Sequence, residues 1–152
     1  MTMNAAEFIE RHEGRIDRPY QCPAGKWTVG VGRNIEANPP TIVELLAIMA
    51  HGVPQAAIDM MRDHDVTRAR TEMTACFPSF TGWPPARQAA VMSMVYTLGL
   101  AGFLAFPKMV AALRDGRWAD AAAEALDSER ARQLPRRAAE EAEMVKTGAW
   151  PT

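Results

Sequence analysis

The chain has 152 residues with 17 basic and 18 acidic side chains and a formal net charge of −1, enough for one domain or two small lobes. That near balance excludes a dedicated nucleic-acid binder, which would carry a basic excess, and it removes long-range steering towards an anionic cell wall. Two cysteines, Cys22 and Cys76, make no disulfide framework, and no apolar run reaches the ~18 residues of a membrane span.

From the N-terminus, Met1-Thr2-Met3-Asn4 lacks the basic-then-apolar pattern of a secretion signal, so a cytoplasmic location is expected. Asn4 with Glu7 forms a capping box, and Phe8, Ile9 and His12 follow at helical spacing. That helix should end near Gly14 and leave Glu13 at its C-terminal end. Residues 15–35 are punctuated by Pro19, Pro23, Gly25, Gly30 and Gly32, which predicts a small antiparallel sheet with tight turns. Pro39-Pro40-Thr41 with Glu44 starts a second helix carrying Ile42, Leu45, Leu46 and Met49. Pro54 opens a third, running to about Cys76 and reaching roughly 35 Å, with Ala57, Ile58, Met61, Val66, Ala69 and Met73 on its apolar side. Its other face, with Arg62, Asp63, Asp65, Arg68, Arg70 and Glu72, is expected to be solvated. Beyond the breakers between Phe77 and Pro85, residues 86–98 form a central buried helix. Further helices are expected over residues 107–113, 118–126 and 137–146, the last closed by Gly148.

Three residues carry the strongest chemical signal. Glu13, Cys22 and Thr28 fall within sixteen residues, and the threonine opens the run Thr28-Val29-Gly30-Val31-Gly32-Arg33-Asn34. A carboxylic acid, a second polar group and a hydroxyl able to hold water are the parts that glycosidic hydrolysis requires. The surrounding text is Phe8-Ile9, then His12-Glu13-Gly14, Tyr20, and Gly25-Lys26-Trp27-Thr28-Val29-Gly30-Val31-Gly32. It resembles the phage-type lysozymes, glycoside hydrolase family 24, whose catalytic group is Glu, then Asp or Cys, then Thr. The similarity continues through Gly116-Arg117-Trp118, Ser128, Gln133, Pro135, Arg137-Ala138, Thr147-Gly148 and Trp150. It implies a mainly α lysozyme-like α+β fold. A small α/β N-terminal lobe (about 1–53) would be joined by a long helix (about 54–76) to an all-α C-terminal lobe (about 77–152), with Glu13 on the wall of a cleft between them.

Each candidate has a plainer reading beside the functional one. Glu13 suits the proton donor, given a partly dry cleft that keeps it protonated near neutrality, but alone it could be a solvated helix-end acid. A lone cysteine is by default a small buried hydrophobe, which is the expectation for Cys76. Cys22, between Gln21 and Pro23 in a turn, stands where the family tolerates Asp or Cys. Either nearby cations such as Lys26 or Arg33 lower its pKa, or its sulfur mainly positions water. Thr28 could be an ordinary strand former, and the resemblance gives its hydroxyl a share of the attacking water. Arg137 matches the arginine that reaches the catalytic acid in this family; its plain reading is a solvated charge beside Arg136. Arg33 departs from the histidine of many relatives, and a fixed guanidinium there would hold Glu13 ionised. Asn34 and Tyr96 fall near sugar-lining positions of the family. His12 is expected to pack and His51 and His64 to be exposed, without metal-ligand spacing.

The resemblance implies a muramidase cleaving the β-1,4 bond between N-acetylmuramic acid and N-acetylglucosamine in bacterial peptidoglycan, with inversion and without metal or cofactor. A monomeric endolysin is expected, released to the cell wall by a separate holin-type protein. Two other readings stay open: a non-catalytic peptidoglycan-binding descendant, and a lytic transglycosylase.

Overall fold

A computed structural model describes residues 3–51 and 54–152, and within them the chain order is helix, three strands, then helices to the end. Two units emerge: residues 9–67, and residues 68–152 together with the first eight. The chain passes from one to the other inside helix α1 (Ala5–Glu13) and inside helix α3 (Pro54–Cys76).

Local chemistry explains how α1 begins and ends. The Asn4 backbone N–H donates to Glu7 Oε2 at 2.9 Å and the Glu7 N–H donates back to Asn4 Oδ1 at 3.0 Å, so the capping box forms as the sequence predicts. Gly14, at φ +75°, turns the chain out of α1. Strands β1 (Ile16–Gln21), β2 (Trp27–Gly30) and β3 (Arg33–Asn34) make one antiparallel sheet in that order. Tyr20 lies opposite Thr28 and Thr28 opposite Asn34, so the three share one sheet face. The register shifts between Ile16 and Tyr20. Gly30 rests on Ile58 and Met61 of α3; a β-carbon there would meet the Ile58 side chain at 3.3 Å.

Helix α2 (Ile42–His51) starts at the expected place, with a second reciprocal box. The Thr41 N–H donates to Glu44 Oε2 at 2.7 Å and the Glu44 N–H to Thr41 Oγ1 at 3.2 Å. Its polarity is the reverse of the usual one. Ile42 is 75% exposed and Met49 80%, and Val43, Leu45, Leu46 and Ile48 are also exposed, whereas Glu44 is completely buried. The apolar stripe carried by Ile42, Leu45, Leu46 and Met49 therefore faces outward. The cause is Arg33. Its Nη1 and Nη2 each donate to a Glu44 oxygen at 2.9 Å, and its Nε and Nη2 donate to the two oxygens of Asp65, also at 2.9 Å. Two bidentate charge-assisted pairs on one guanidinium outweigh the burial of a few methylenes.

Asp65 also corrects the reading of α3. The spacing Ile58, Met61, Asp65, Ala69 puts this carboxylate on the buried stripe, not on the solvated face, and Val66 is left at intermediate exposure. His64 is about half exposed as expected, but its Nδ1 lies 2.8 Å from Glu44 Oε1. The expectations for His51 and for a boundary at residue 53 fall outside the described side chains and residues.

The larger unit is helical: α4 (Pro85–Leu104), α5 (Pro107–Arg114), α6 (Trp118–Leu126), α7 (Glu129–Gln133) and α8 (Pro135–Thr147), after a short 3-10 turn at Phe80–Gly82. Helix α4 runs further than residues 86–98, through a break at Gly99 with φ 69° and ψ 165°. Helix α7 was not foreseen; its five residues, three charged with Ala131 and Gln133, carry no apolar period, and it forms on the Ser128 cap. Cys76 ends α3 at intermediate exposure instead of inside the core, and both cysteines are free. The core is an aromatic chain of Phe77, Phe80, Trp83, Phe103 and Trp118 with ring centroids 5.2–6.2 Å apart. Each fully buried ring contributes roughly 1.5–3 kcal/mol. Arg87 lies over Trp118 at 4.0 Å and donates to the Val145 carbonyl at 2.7 Å, so its stem and charge both join that packing.

Candidate active site

Glu13, Cys22, Thr28, Arg33 and Asn34 all belong to the smaller unit, while Tyr96 and Arg137 belong to the larger one. Glu13 is the last residue of α1 and is half-buried. Its carboxyl group lies directly on the α-carbon face of Gly32; a β-carbon at Gly32 would stand 2.8 Å from the Glu13 carboxyl carbon. The Gly-x-Gly signal thus has a concrete use. Gly32 combines φ +65°, which only glycine adopts freely, with the bare surface on which the acid is seated.

That seat yields a test with an internal control. Gly30 shares the left-handed backbone at φ +66°, but a methyl there meets only flexible Ile58 and Met61 atoms. Both Gly30→Ala and Gly32→Ala should lose about 1–2 kcal/mol in denaturation experiments from the backbone alone. Only Gly32→Ala should also displace the acid and cut the hydrolytic activity that the resemblance implies by ~10-fold or more. Equal activity loss in the two variants would refute the seating role.

Cys22 opens the loop between β1 and β2. Its N–H donates to the Lys26 carbonyl at 2.9 Å and its own carbonyl accepts from Gly25 at 2.7 Å, with Pro23 inside the turn and Gly25 at φ +75°. The thiol is held below its ordinary pKa chiefly by the Lys26 backbone N–H, against desolvation that pushes it up, with the Ala24 N–H and the Thr28 hydroxyl adding to the lowering. The expected lowering is present, but its cause differs from the side-chain cations. The Lys26 ammonium faces Glu36 at 3.8 Å, and the Arg33 guanidinium is committed to Glu44 and Asp65. Two carboxylates neutralising Arg33 locally also remove the reason to expect it to dominate the charge of Glu13.

Thr28 is 4% exposed. Its hydroxyl donates to the Lys26 carbonyl at 3.0 Å and also reaches the Cys22 sulfur. Asn34 Oδ1 accepts from the Glu36 and Ala37 N–H groups at 3.0 and 3.1 Å, which commits that oxygen to the turn.

Tyr20 was part of the sequence pattern but not among the candidate site residues. Its phenol is pushed above the ordinary range by burial first, then by the charges of Glu13 and Cys22. It therefore stands within electrostatic reach of both. The available sequence signal was its position two residues before Cys22 on an alternating strand.

In the larger unit, Arg137 is 6% exposed and far from a solvated helix-start charge. Its Nη2 donates to Ser93 Oγ at 2.9 Å and its Nε to Glu141 Oε1 at 3.1 Å. Glu141 is fully buried and also accepts from Arg130 Nη1 at 2.6 Å. Tyr96 is on α4 at intermediate exposure.

An acid at a helix end, a three-stranded sheet with a polarised thiol at its first turn, and a large helical remainder define a mainly helical α+β protein of lysozyme-like fold. The phage lysozyme family model matches residues 10–140, and the chain belongs to that family. No curated protein matches the sequence. Membership carries the general class of activity, a lysozyme-type glycosidase that hydrolyses peptidoglycan.

Proposed function

We propose that the protein is an endolysin muramidase that hydrolyses the β-1,4 bond between N-acetylmuramic acid and N-acetylglucosamine, with inversion. The observation that supports this best is the pairing, within one unit, of a carboxyl seated on Gly32 with a sulfur polarised by peptide N–H groups and by Thr28. In this reading Glu13 gives its proton to the glycosidic oxygen as the bond from the anomeric carbon to that oxygen breaks. Water held by Thr28 attacks the anomeric carbon from the opposite side, and its proton passes to the Cys22 thiolate. The products are a reducing-end sugar and a free hydroxyl, after which the proton returns from sulfur to carboxylate through solvent. Asn34 and Tyr96 are assigned to sugar contacts. Arg137 is assigned to supporting the acid, and Arg33 to holding β3, and so Gly32, in place.

The biological setting follows from that chemistry. The glycan strands of peptidoglycan are the partner, and a holin-type protein admits the enzyme to them at the time of host lysis. The protein acts as a monomer, resides in the host cytoplasm until then, and requires neither metal nor cofactor.

Purified protein should clear outer-membrane-permeabilised cells and generate new reducing ends on muramic acid. Anhydro-sugar ends would instead mark a transglycosylase, and binding without clearing would mark a non-catalytic module. The pH profile supplies the test of Cys22. Activity should rise with pH as the thiol ionises, with a midpoint below the ordinary thiol value of ~8.5. Cys22→Asp keeps a group that is ionised far lower, so the rising limb should move down by several pH units with activity retained at neutrality. Loss of neutral activity in that variant would remove Cys22 from its role.

A further inference from the structure

The β1–β2 register places Tyr20 directly opposite Thr28, and side chains paired in this way share a sheet face. Cys22 follows two residues after Tyr20, just past the end of β1 at Gln21, and its N–H donates to the Lys26 carbonyl at 2.9 Å, which keeps it beside the start of β2. Thr28 reaches the Cys22 sulfur, and Glu13 is seated on Gly32 just before β3. Tyr20 is half-buried, and its phenol lies within electrostatic reach of Glu13 and Cys22.

We propose that Tyr20 is a positioning residue of this site: its phenol hydroxyl supplies a third hydrogen bond to the water held by Cys22 and Thr28, between sulfur and acid. The inference deepens the muramidase reading and rests on it. A water that attacks a single carbon needs its lone pair aimed. Two partners on one side leave it free to swing, whereas a third from across the strand pair fixes it. The phenol is suited to this because burial first, and then the neighbouring Glu13 and Cys22 charges, push its pKa up and keep it protonated, hence a donor. The same water, by hydrogen-bonding the sulfur, also favours the thiolate.

The test uses the full chain in a Cys76→Ala background, so that Cys22 is the single thiol. Iodoacetamide alkylation followed against pH reads the thiolate without needing any glycan. Tyr20→Phe removes one oxygen and keeps the ring. Its alkylation profile should move to higher pH, with the rate at neutrality falling about threefold. Superimposable profiles would overturn the proposal. On cell walls the same substitution should lower kcat about tenfold with KM little changed; a rise in KM alone would also overturn it. A parent enzyme that fails to clear walls refutes the muramidase reading instead, and the alkylation profiles still decide whether Tyr20 is coupled to the sulfur. If Tyr20→Phe does not fold, the chain's two tyrosines allow a second measurement. In Tyr96→Phe protein the ultraviolet titration of Tyr20 should shift to lower pH when Glu13→Gln or Cys22→Ser removes a charge. An unmoved titration in both would overturn the placement.

Discussion

Replacement of Glu13 by Gln is expected to abolish clearing of permeabilised cells, a loss of at least ~10³-fold, with the melting temperature little changed. The two side chains are the same size, so the amide can rest on Gly32 as the carboxyl does and no cavity opens. What disappears is the proton for the departing sugar oxygen. Without it the leaving group departs as an alkoxide, and in the proposed mechanism neither Cys22 nor Thr28 can compensate, because that mechanism assigns them to the water on the other side. Turbidity clearing alongside thermal unfolding checks both halves of the expectation. A variant that retained a tenth of parental clearing would show that the acid lies elsewhere.

Arg33→Ala should have the largest effect on folding, costing about 3–5 kcal/mol, because it strands Glu44 and Asp65 as buried carboxylates without their shared cation. The pH dependence follows with a definite sign. Burial alone would push the Glu44 carboxyl up, yet the Arg33 guanidinium, the Thr41 N–H and His64 hold it at about 2, well below the ordinary 4.5. A group whose pKa is depressed on folding contributes stability that is fully present above its unfolded pKa and lost as pH falls towards the folded one. The Glu44 contribution, about 3 kcal/mol, should therefore disappear between about pH 4.5 and pH 2. Urea unfolding at a series of pH values reads this. The parent should lose stability across that window, whereas Arg33→Ala should start lower and change less. A loss below about 1 kcal/mol at neutral pH would show that the clamp is ornamental to stability.

Where the sequence was legible, local rules coincided with tertiary ones. The Asn4–Glu7 and Thr41–Glu44 boxes, the start of α3 at Pro54 and the Gly148 cap are written in a few adjacent residues, and the structure has each of them. The orientation of α2 was not legible, because periodicity says which residues share a face but not which face turns inward. An arginine eleven residues away decided that. Asp65 misled for the same reason, since a charge on an apolar stripe looks solvated until its partner is known. At the candidate site, spacing identified Glu13, Cys22 and Thr28, but the lowered thiol pKa was assigned to side chains when backbone N–H groups supply it. Peptide dipoles have no letter in a sequence. Tyr20 went unclaimed because a tyrosine on a strand is usually packing, and only the register with Thr28 distinguishes it.

The guanidinium at the centre of the smaller unit also sets how that unit responds to warming. Taking ions out of water becomes less costly as temperature rises, whereas the gain from burying hydrocarbon levels off. A nucleus built from Arg33, Glu44 and Asp65 should accordingly hold better in heat than an oily one of equal size.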